Sequence, residues 1–116
     1  MEIKQPKDGS FLNDFEKKHI PEVKLPRTIR LGKEIKIKVQ VGEMVHPMIP
    51  EHYIIWVALY RGEELIQKNQ LAPGNQPETV FLYQVTGGEE LRCLAECNIH
   101  GIWEKKFEIK ISKVKK

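Results

Sequence analysis

Hydrophobic and polar residues alternate along several short stretches of this chain. Between Glu34 and Val41, isoleucine or valine occupies every second position and charged or amide residues occupy the others. This alternation predicts a strand with one buried face. Residues 53–60 form a near-continuous apolar run of strand length, which is typical of a strand buried on both faces. Further β-rich stretches predict strands at 65–71, 79–85, 91–96 and 104–114.

Turn-forming residues separate the predicted strands. The stretches 61–64 and 73–75 each contain glycine and indicate turns, and Gly87-Gly88 suits a tight hairpin between its flanking strands. The first 33 residues keep no period of two or 3.6, although Asn13 or Asp14 can cap a short helical turn there. The whole pattern predicts one all-β domain over residues 1–116. Its expected fold is an immunoglobulin-like antiparallel β-sandwich of about seven strands with a long N-terminal loop.

Composition and charge narrow the classes of function. The 116 residues are 41% hydrophobic, which fits one core, and no apolar run approaches the roughly 18 residues of a membrane-spanning helix. The N-terminus lacks the apolar stretch of a signal peptide, so we expect a cytoplasmic protein without a membrane partner. The net charge is only +3, and the basic tail has no interleaved aromatic residues, so no nucleic-acid partner is expected.

The two cysteines have different surroundings. Cys93 and Cys97 are four positions apart at a predicted strand end. An extended chain separates them by about 13 Å, whereas a disulfide needs Cα atoms within roughly 7 Å. We therefore expect no bridge between them. Cys93 is expected to be a small buried hydrophobe, and Cys97, three residues before His100, is a candidate thiolate ligand.

The chain has four histidines, and all of them fall in predicted loops or at strand ends. Loops at one end of a sandwich converge in space, so these side chains can form one cluster with Cys97. The histidines are His19, His46, His52 and His100. Imidazole and thiolate are metal ligands, and the cluster is therefore a candidate metal site.

The residue types alone do not determine which metal binds. Structural zinc normally takes four ligands, whereas five are available here. Blue copper takes two histidines, a cysteine and a weak axial methionine, but Met1, Met44 and Met48 all precede His100. Iron accepts imidazole and thiolate together and keeps a sixth position open when five-coordinate. An iron enzyme, a copper-type electron-transfer domain and a non-catalytic immunoglobulin-like binding module are the three alternatives.

Several motifs together resemble those of the superoxide reductases. The stretch from Cys97 to Trp103, CNIHGIW, is similar to the C-terminal signature of that family. Four other motifs fit in order, namely Lys18-His19-Ile20-Pro21, Val41-Gly42-Glu43 with His46-Pro47-Met48, Glu51-His52-Tyr53-Ile54, and Leu71-Ala72-Pro73-Gly74. The resemblance runs from about Glu16 to the last strand. It is greatest to the single-iron neelaredoxin type, which is related to the desulfoferrodoxins.

This resemblance implies a mononuclear non-haem iron, one per chain, that cycles between Fe2+ and Fe3+. It implies four equatorial histidines and one axial cysteine as ligands, namely His19, His46, His52, His100 and Cys97. Superoxide would take one electron from iron opposite the cysteine and two protons, giving hydrogen peroxide without release of oxygen. A rubredoxin-like protein would return the electron, and the chain would form a homo-oligomer, with a tetramer as the expected state.

Two neighbouring features complete the implied site. Lys18 would hold a positive charge near the open position, where it attracts superoxide and stabilises developing negative charge. Backbone N–H groups of residues 98–100 are expected to donate hydrogen bonds to the sulfur of Cys97 and tune the metal.

One residue departs from the family pattern. The family usually places a glutamate directly before Lys-His, where it caps ferric iron, but here Lys17 occupies that position and Glu16 precedes it. Either Glu16 reaches the metal through a shifted loop, or the sixth position of the ferric site holds water or hydroxide. We favour the second alternative.

Overall fold

The computed structural model describes residues 3–5, 13–42 and 46–112. Within these ranges there are one short helix and eight strands. They are β1 (Ile3–Lys4), α1 (Asp14–His19), β2 (Pro21–Lys24), β3 (Glu34–Val41), β4 (Ile54–Arg61), β5 (Glu64–Gln70), β6 (Glu78–Gln84), β7 (Glu89–Cys97) and β8 (Gly101–Ile109).

The strands form two sheets that pack against each other as a sandwich. One sheet has the order β1-β8-β7-β4-β5 and the other has the order β2-β3-β6. Neighbouring strands are antiparallel, except that β1 runs parallel to β8. The predicted fold class, an all-β immunoglobulin-like sandwich, is confirmed.

The core follows from the alternation in the sequence. The predicted bounds of β3 are those observed, and its four aliphatic side chains, from Ile35 to Val41, are all buried. Phe81 faces them from β6, and Val57 and Leu59 of β4 close the core from the other sheet. In β4 the central residues 57–59 have no exposed surface, in keeping with the apolar run that predicted this strand. The core lies between the sheets. The loops at the ends of the sandwich are therefore not needed to form it and can carry a functional site.

The N-terminal segment is more structured than the expected long loop. It contributes β1, α1 and β2, so the chain has two strands there that the sequence did not indicate. Both are short, with two and four residues, and a strand of that length shows too little alternation to be recognised. The predicted capping of a helical turn is confirmed at Asn13, which is the N-cap of α1.

The hairpin predicted at Gly87-Gly88 is wrong. The preceding strand, β6, pairs with β3, whereas the following strand, β7, pairs with β4 and β8 in the other sheet. The connection therefore crosses from one sheet to the other, and neither glycine has a positive φ. Two adjacent glycines indicate a sharp change of direction, but they do not determine whether the chain returns along the same sheet. The turn at Gly62, by contrast, has φ 58° and joins β4 to β5 as a hairpin.

Both cysteines are free and buried, as expected from their spacing. Cys93 lies in the core with no exposed surface, and burial raises the pKa of its thiol far above the ordinary value. Cys93 is therefore the inert hydrophobe that the sequence indicated. The last predicted strand ends at Ile109 within the described residues, and its expected end at 113–114 lies outside them.

No helix in the described part of the chain combines the length and the apolar character needed to cross a bilayer.

Candidate metal centre

Helix α1 positions His19 at its last residue. Asn13 caps the helix by accepting a hydrogen bond from the backbone N–H of Glu16 at 2.8 Å, and the Glu16 carboxylate accepts from the backbone N–H of Asn13 at 3.0 Å. This reciprocal capping box fixes where the helix starts. The C-cap residue that follows the helix is Ile20, whose carbonyl accepts the N–H of Gly42 at 3.2 Å. That bond joins the end of α1 to the end of β3.

The connection from β3 to β4 supplies the next two histidines. The N–H of His46 donates to the carbonyl of Val41 at 3.3 Å, which holds His46 beside the end of β3. Ile49 and His52 exchange two backbone hydrogen bonds of 3.0 Å each around the turn at Pro50 and Glu51. His52 therefore stands at a tight two-residue turn just before β4, and its position is set by backbone bonds.

The Cys97 loop is a three-residue connection between β7 and β8. Cys97 pairs with Gly101 across it, and Gly101 has φ 84°, a conformation that glycine adopts without strain. The side chain of Asn98 ties this loop to the His52 turn, since it accepts the N–H of Tyr53 at 3.0 Å and donates to the carbonyl of Glu51 at 3.2 Å. The two ligand loops are thus bonded to each other.

These elements bring all five predicted side chains together. One potential ligand atom from each of His19, His46, His52 and Cys97 lies within 4.8 Å of every other. The fifth residue, His100, is adjacent, with its Nδ1 3.0 Å from Nε2 of His19 and 3.6 Å from the sulfur of Cys97. The cluster predicted from the loop positions of the histidines is therefore present.

The four imidazole rings stand at the corners of a square. Centroid distances around it are 4.9 Å from His19 to His46, 4.6 Å from His46 to His52, 5.0 Å from His52 to His100 and 4.8 Å from His100 to His19. The diagonal from His19 to His52 is 6.3 Å. Adjacent rings are inclined by 75–88°. His19 and His52 are consequently opposite each other, and so are His46 and His100.

The donor atoms fit one metal ion. Metal–imidazole bonds of about 2.1 Å place nitrogens at right angles about 3.0 Å apart, which is the separation of Nε2 of His19 and Nδ1 of His100. The Nδ1 of His46 lies 2.7 Å from the carbonyl of Pro47 and donates to it, so Nε2 keeps a lone pair. Nε2 of His46 and Nε2 of His52 are buried and have no hydrogen-bond partner in the described structure. Buried polar atoms normally have partners, and a bound cation would provide them for these two.

Burial also keeps the ring of His46 neutral. Its pKa is lowered from 6.5 to about 4, with desolvation as the largest cause; the hydrogen bond to Pro47 opposes the shift, and the neighbouring histidines add to it. The pKa of His100 is lowered mainly by desolvation, with smaller contributions from His52 and Lys4. A neutral imidazole is the form that binds metal, so near neutral pH these rings are ready to act as ligands.

The sulfur of Cys97 receives one of the predicted backbone hydrogen bonds. The N–H of His100 donates to it at 3.4 Å. The N–H of Asn98, which was expected to do the same, donates instead to the carbonyl of Tyr53 at 3.1 Å. This bond is a further contact between the Cys97 loop and the turn that holds His52.

Glu16 and Lys18 take different positions on α1. The Glu16 side chain is buried in the capping box and does not belong to the group of potential ligand atoms found among the described residues. Lys18 is exposed one residue before His19. Its charged side chain is therefore in contact with solvent, next in sequence to the candidate ligand His19. Of the methionines named above, Met1 and Met44 lie outside the described residues, and Met48 accepts the N–H of Ile54 on its sulfur.

Two supporting residues were not recognised in the sequence. Trp103 stacks on His19 with centroids 5.1 Å apart, and its indole N–H donates to the carbonyl of His100 at 3.2 Å. Lys4 donates to the same carbonyl at 3.0 Å. Trp103 stands in the CNIHGIW stretch, so it had a signal, but its contacts did not follow from spacing. Nothing in the sequence pointed to Lys4.

The chain is similar to known proteins over most of its length. The desulfoferrodoxin family matches residues 12–106. The chain is 34% identical over 103 residues to a superoxide reductase of Pyrococcus horikoshii, a match that covers 79% of this chain and 87% of that one. It is 35% identical over 98 residues to a superoxide reductase of Thermococcus kodakarensis, covering 75% and 83% of the two chains.

A solved structure shows the same architecture. The superoxide reductase (neelaredoxin) of Ignicoccus hospitalis superimposes with a TM-score of 0.70 at 26% identity. The match covers 81% of each chain. The two chains therefore share the fold over most of their length.

Proposed function

The chain belongs to the desulfoferrodoxin family, and from this premise we propose that it reduces superoxide to hydrogen peroxide at the histidine–cysteine centre. It is an oxidoreductase of the superoxide reductase class, whose cofactor is one mononuclear iron. The reaction takes up one electron and two protons for each superoxide and releases no oxygen. The observation that carries the proposal is the square of four imidazoles with the Cys97 thiol beside it.

We assign five ligands to the iron. The square supports four histidine ligands, His19, His46, His52 and His100, because the four adjacent centroid distances and the His19–His52 diagonal fit rings arranged around one ion. Cys97 would be the fifth ligand. Its sulfur lies near His100 and accepts a backbone N–H, which stabilises the thiolate. With these five residues as ligands, one position on the metal would be left for the substrate.

The chemistry divides between the cofactor and the chain. Iron held there supplies the single electron. The Cys97 thiolate places negative charge next to the metal, which makes it a better electron donor and favours release of a protonated product. Lys18 attracts the superoxide anion from solvent and stabilises charge that develops on its oxygen. Solvent supplies the two protons.

Glu16 is not part of this assignment. Its carboxylate is engaged in the capping box of α1, where it accepts the N–H of Asn13. Reaching the metal would break that box and remove a stabilising contact at the helix start. This supports water or hydroxide, and not Glu16, at the sixth position of the ferric site.

Three further parts of the proposal rest on the resemblance of the sequence to the family. A rubredoxin-like protein donates the electron that restores ferrous iron. The chain assembles as a homo-oligomer, with a tetramer as the expected state. The activity belongs to the cytoplasm, where free thiols such as those of Cys93 and Cys97 stay reduced.

The decisive experiment is the visible spectrum of the purified, oxidised protein together with its metal content. We expect one iron per chain and a thiolate-to-ferric charge-transfer band. Cys97→Ser is expected to abolish the band, and Cys93→Ala, which alters the other buried cysteine, is expected to keep it. Copper in place of iron, or no stoichiometric metal, would overturn the proposal in favour of the electron-transfer or binding-module alternative.

The product is tested by pulsing the reduced protein with superoxide. We expect one hydrogen peroxide per superoxide consumed and no oxygen beyond that of spontaneous dismutation. Release of half an oxygen molecule per superoxide would show a dismutase and contradict the proposed reaction.

A further inference from the structure

Lys4 is the only described residue outside the ligand loops and α1 whose charged group is bonded to a ligand's backbone. Strand β1 places it there, because Lys4 pairs with Trp103 in the parallel contact between β1 and β8. Its ammonium donates to the carbonyl of His100 at 3.0 Å and lies 5.5 Å from the centroid of the Trp103 ring.

The contact reaches two ligands. The carbonyl of His100 accepts from both Lys4 and the indole of Trp103, so both of its lone pairs are used and the peptide is held from two sides. Trp103 also stacks on the ring of His19. Lys4 therefore acts on His100 directly and on His19 through Trp103. Its aliphatic stem passes next to Gly101, where an added Cβ would meet the Cε of Lys4 at 3.8 Å.

We propose that Lys4 is a positioning residue of the iron centre, which fixes the Cys97–His100 loop and raises the reduction potential of the metal. This inference rests on the proposed function for the identity of the metal. A fixed cation this close opposes the additional positive charge of the ferric state, so it favours the ferrous state. The partly buried ammonium is screened less than the exposed Lys18, which makes its effect less dependent on salt.

The matched control is another lysine–tryptophan pair in the same sheet. The ammonium of Lys68 lies 4.6 Å from the centroid of the Trp56 ring, and Trp56 bonds to Glu96 and not to a ligand. Lys68→Met thus removes a similar charge and a similar cation–π contact without touching the ligand loop. Lys4→Arg keeps the charge and a donor, and it tests rescue.

The first measurement uses Co2+ alone as the probe, with the thiolate-to-cobalt absorption band as the readout. We expect Lys4→Met to weaken Co2+ binding about 10-fold, Lys4→Arg to bind within about threefold of the unmodified chain, and Lys68→Met to bind as the unmodified chain does. Thermal unfolding of the metal-free variants shows whether each one is folded. Equal Co2+ affinity in Lys4→Met and Lys68→Met would overturn the positioning role.

The second measurement is the midpoint potential of the iron-loaded protein. We expect a lower potential in Lys4→Met than in Lys68→Met, and partial or full return in Lys4→Arg. An unchanged potential in folded Lys4→Met would overturn the electrostatic role. Because Co2+ binding does not depend on superoxide, a protein that binds Co2+ as expected but does not reduce superoxide would refute the proposed function and leave the role of Lys4 standing.

Discussion

His19 and Trp103 are stacked, with ring centroids 5.1 Å apart and planes inclined by 28°. His19 closes one corner of the imidazole square, and Trp103 sits on β8, directly after the loop that carries two more ligands. The indole therefore holds a ligand from the start of the chain against ligands from its end. The same side chain donates its N–H to the carbonyl of His100, so one residue stabilises two corners.

Replacing Trp103 is predicted to loosen the metal. Trp103→Leu loses both the stacking on His19 and the hydrogen bond to His100, and we expect iron affinity to fall about 10- to 100-fold, as for other supports of metal ligands. Competition with a chelator measures this loss. Trp103→Phe keeps an aromatic ring but lacks the N–H donor, so its iron affinity should lie between those of the unmodified chain and Trp103→Leu. Equal retention of iron in all three proteins would contradict the prediction.

Glu16→Ala is predicted to affect stability more than catalysis. The substitution removes half of the capping box, and a lost cap costs about 1 kcal/mol of stability. Superoxide reduction should remain close to the unmodified rate, since the reaction needs an open position and not a carboxylate ligand. Asn13→Ala, which removes the other half of the box, is the control and should destabilise similarly. A collapse of the rate on pulsing Glu16→Ala alone with superoxide would assign Glu16 to the metal.

Lys18→Ala is predicted to slow the capture of superoxide. Exposed charges near a site raise association rates of oppositely charged substrates by about 10-fold or more at low salt, and screening reduces that gain. The second-order rate should therefore fall several-fold at low ionic strength and depend less on salt. Lys17→Ala, on the neighbouring position of α1, is the matched control with the same change in net charge. An equal effect of the two substitutions would show a general field and no special role for Lys18.

Acid is predicted to destabilise the metal-free protein through His46. Its pKa is lowered from 6.5 to about 4 in the folded state, so between these values the unfolded chain binds more protons than the folded one. The contribution of His46 to the free energy of unfolding is therefore fully present above pH 6.5. It is lost as the pH falls towards 4, by about 3 kcal/mol in total. Chemical denaturation of the metal-free chain at several pH values measures this slope. His46→Gln should flatten it, and an unchanged slope in that variant would place the titrating group elsewhere.

The sequence predicted the candidate site better than it predicted how distant strands pair. The alternation between Glu34 and Val41 fixed β3 to both of its observed ends, because eight residues are enough to show a period of two. The cluster was foreseeable for a different reason. His46, His52 and His100 lie in loops or at strand ends, which converge at one end of a sandwich, whereas His19 lies at the last residue of α1 and not in the predicted loop.

Long-range pairing could not be foreseen in the same way. The two residues of β1 have no period, and their parallel contact with β8 joins positions almost a hundred residues apart. That is why Lys4 was missed. The crossover after β6 was misjudged for a related reason, because Gly87 and Gly88 determine local geometry but not the sheet that the next strand joins.

The wide spacing of the ligands has a consequence for the order of folding. The rings of His19 and His100 meet although 81 positions separate them in the chain. Closing loops of this size before the sheets exist costs entropy that a single pair of ligands regains poorly. We therefore expect iron to bind after both sheets have assembled and the loops have converged. On this prediction the metal-free protein folds by itself, and a cell short of iron would accumulate it.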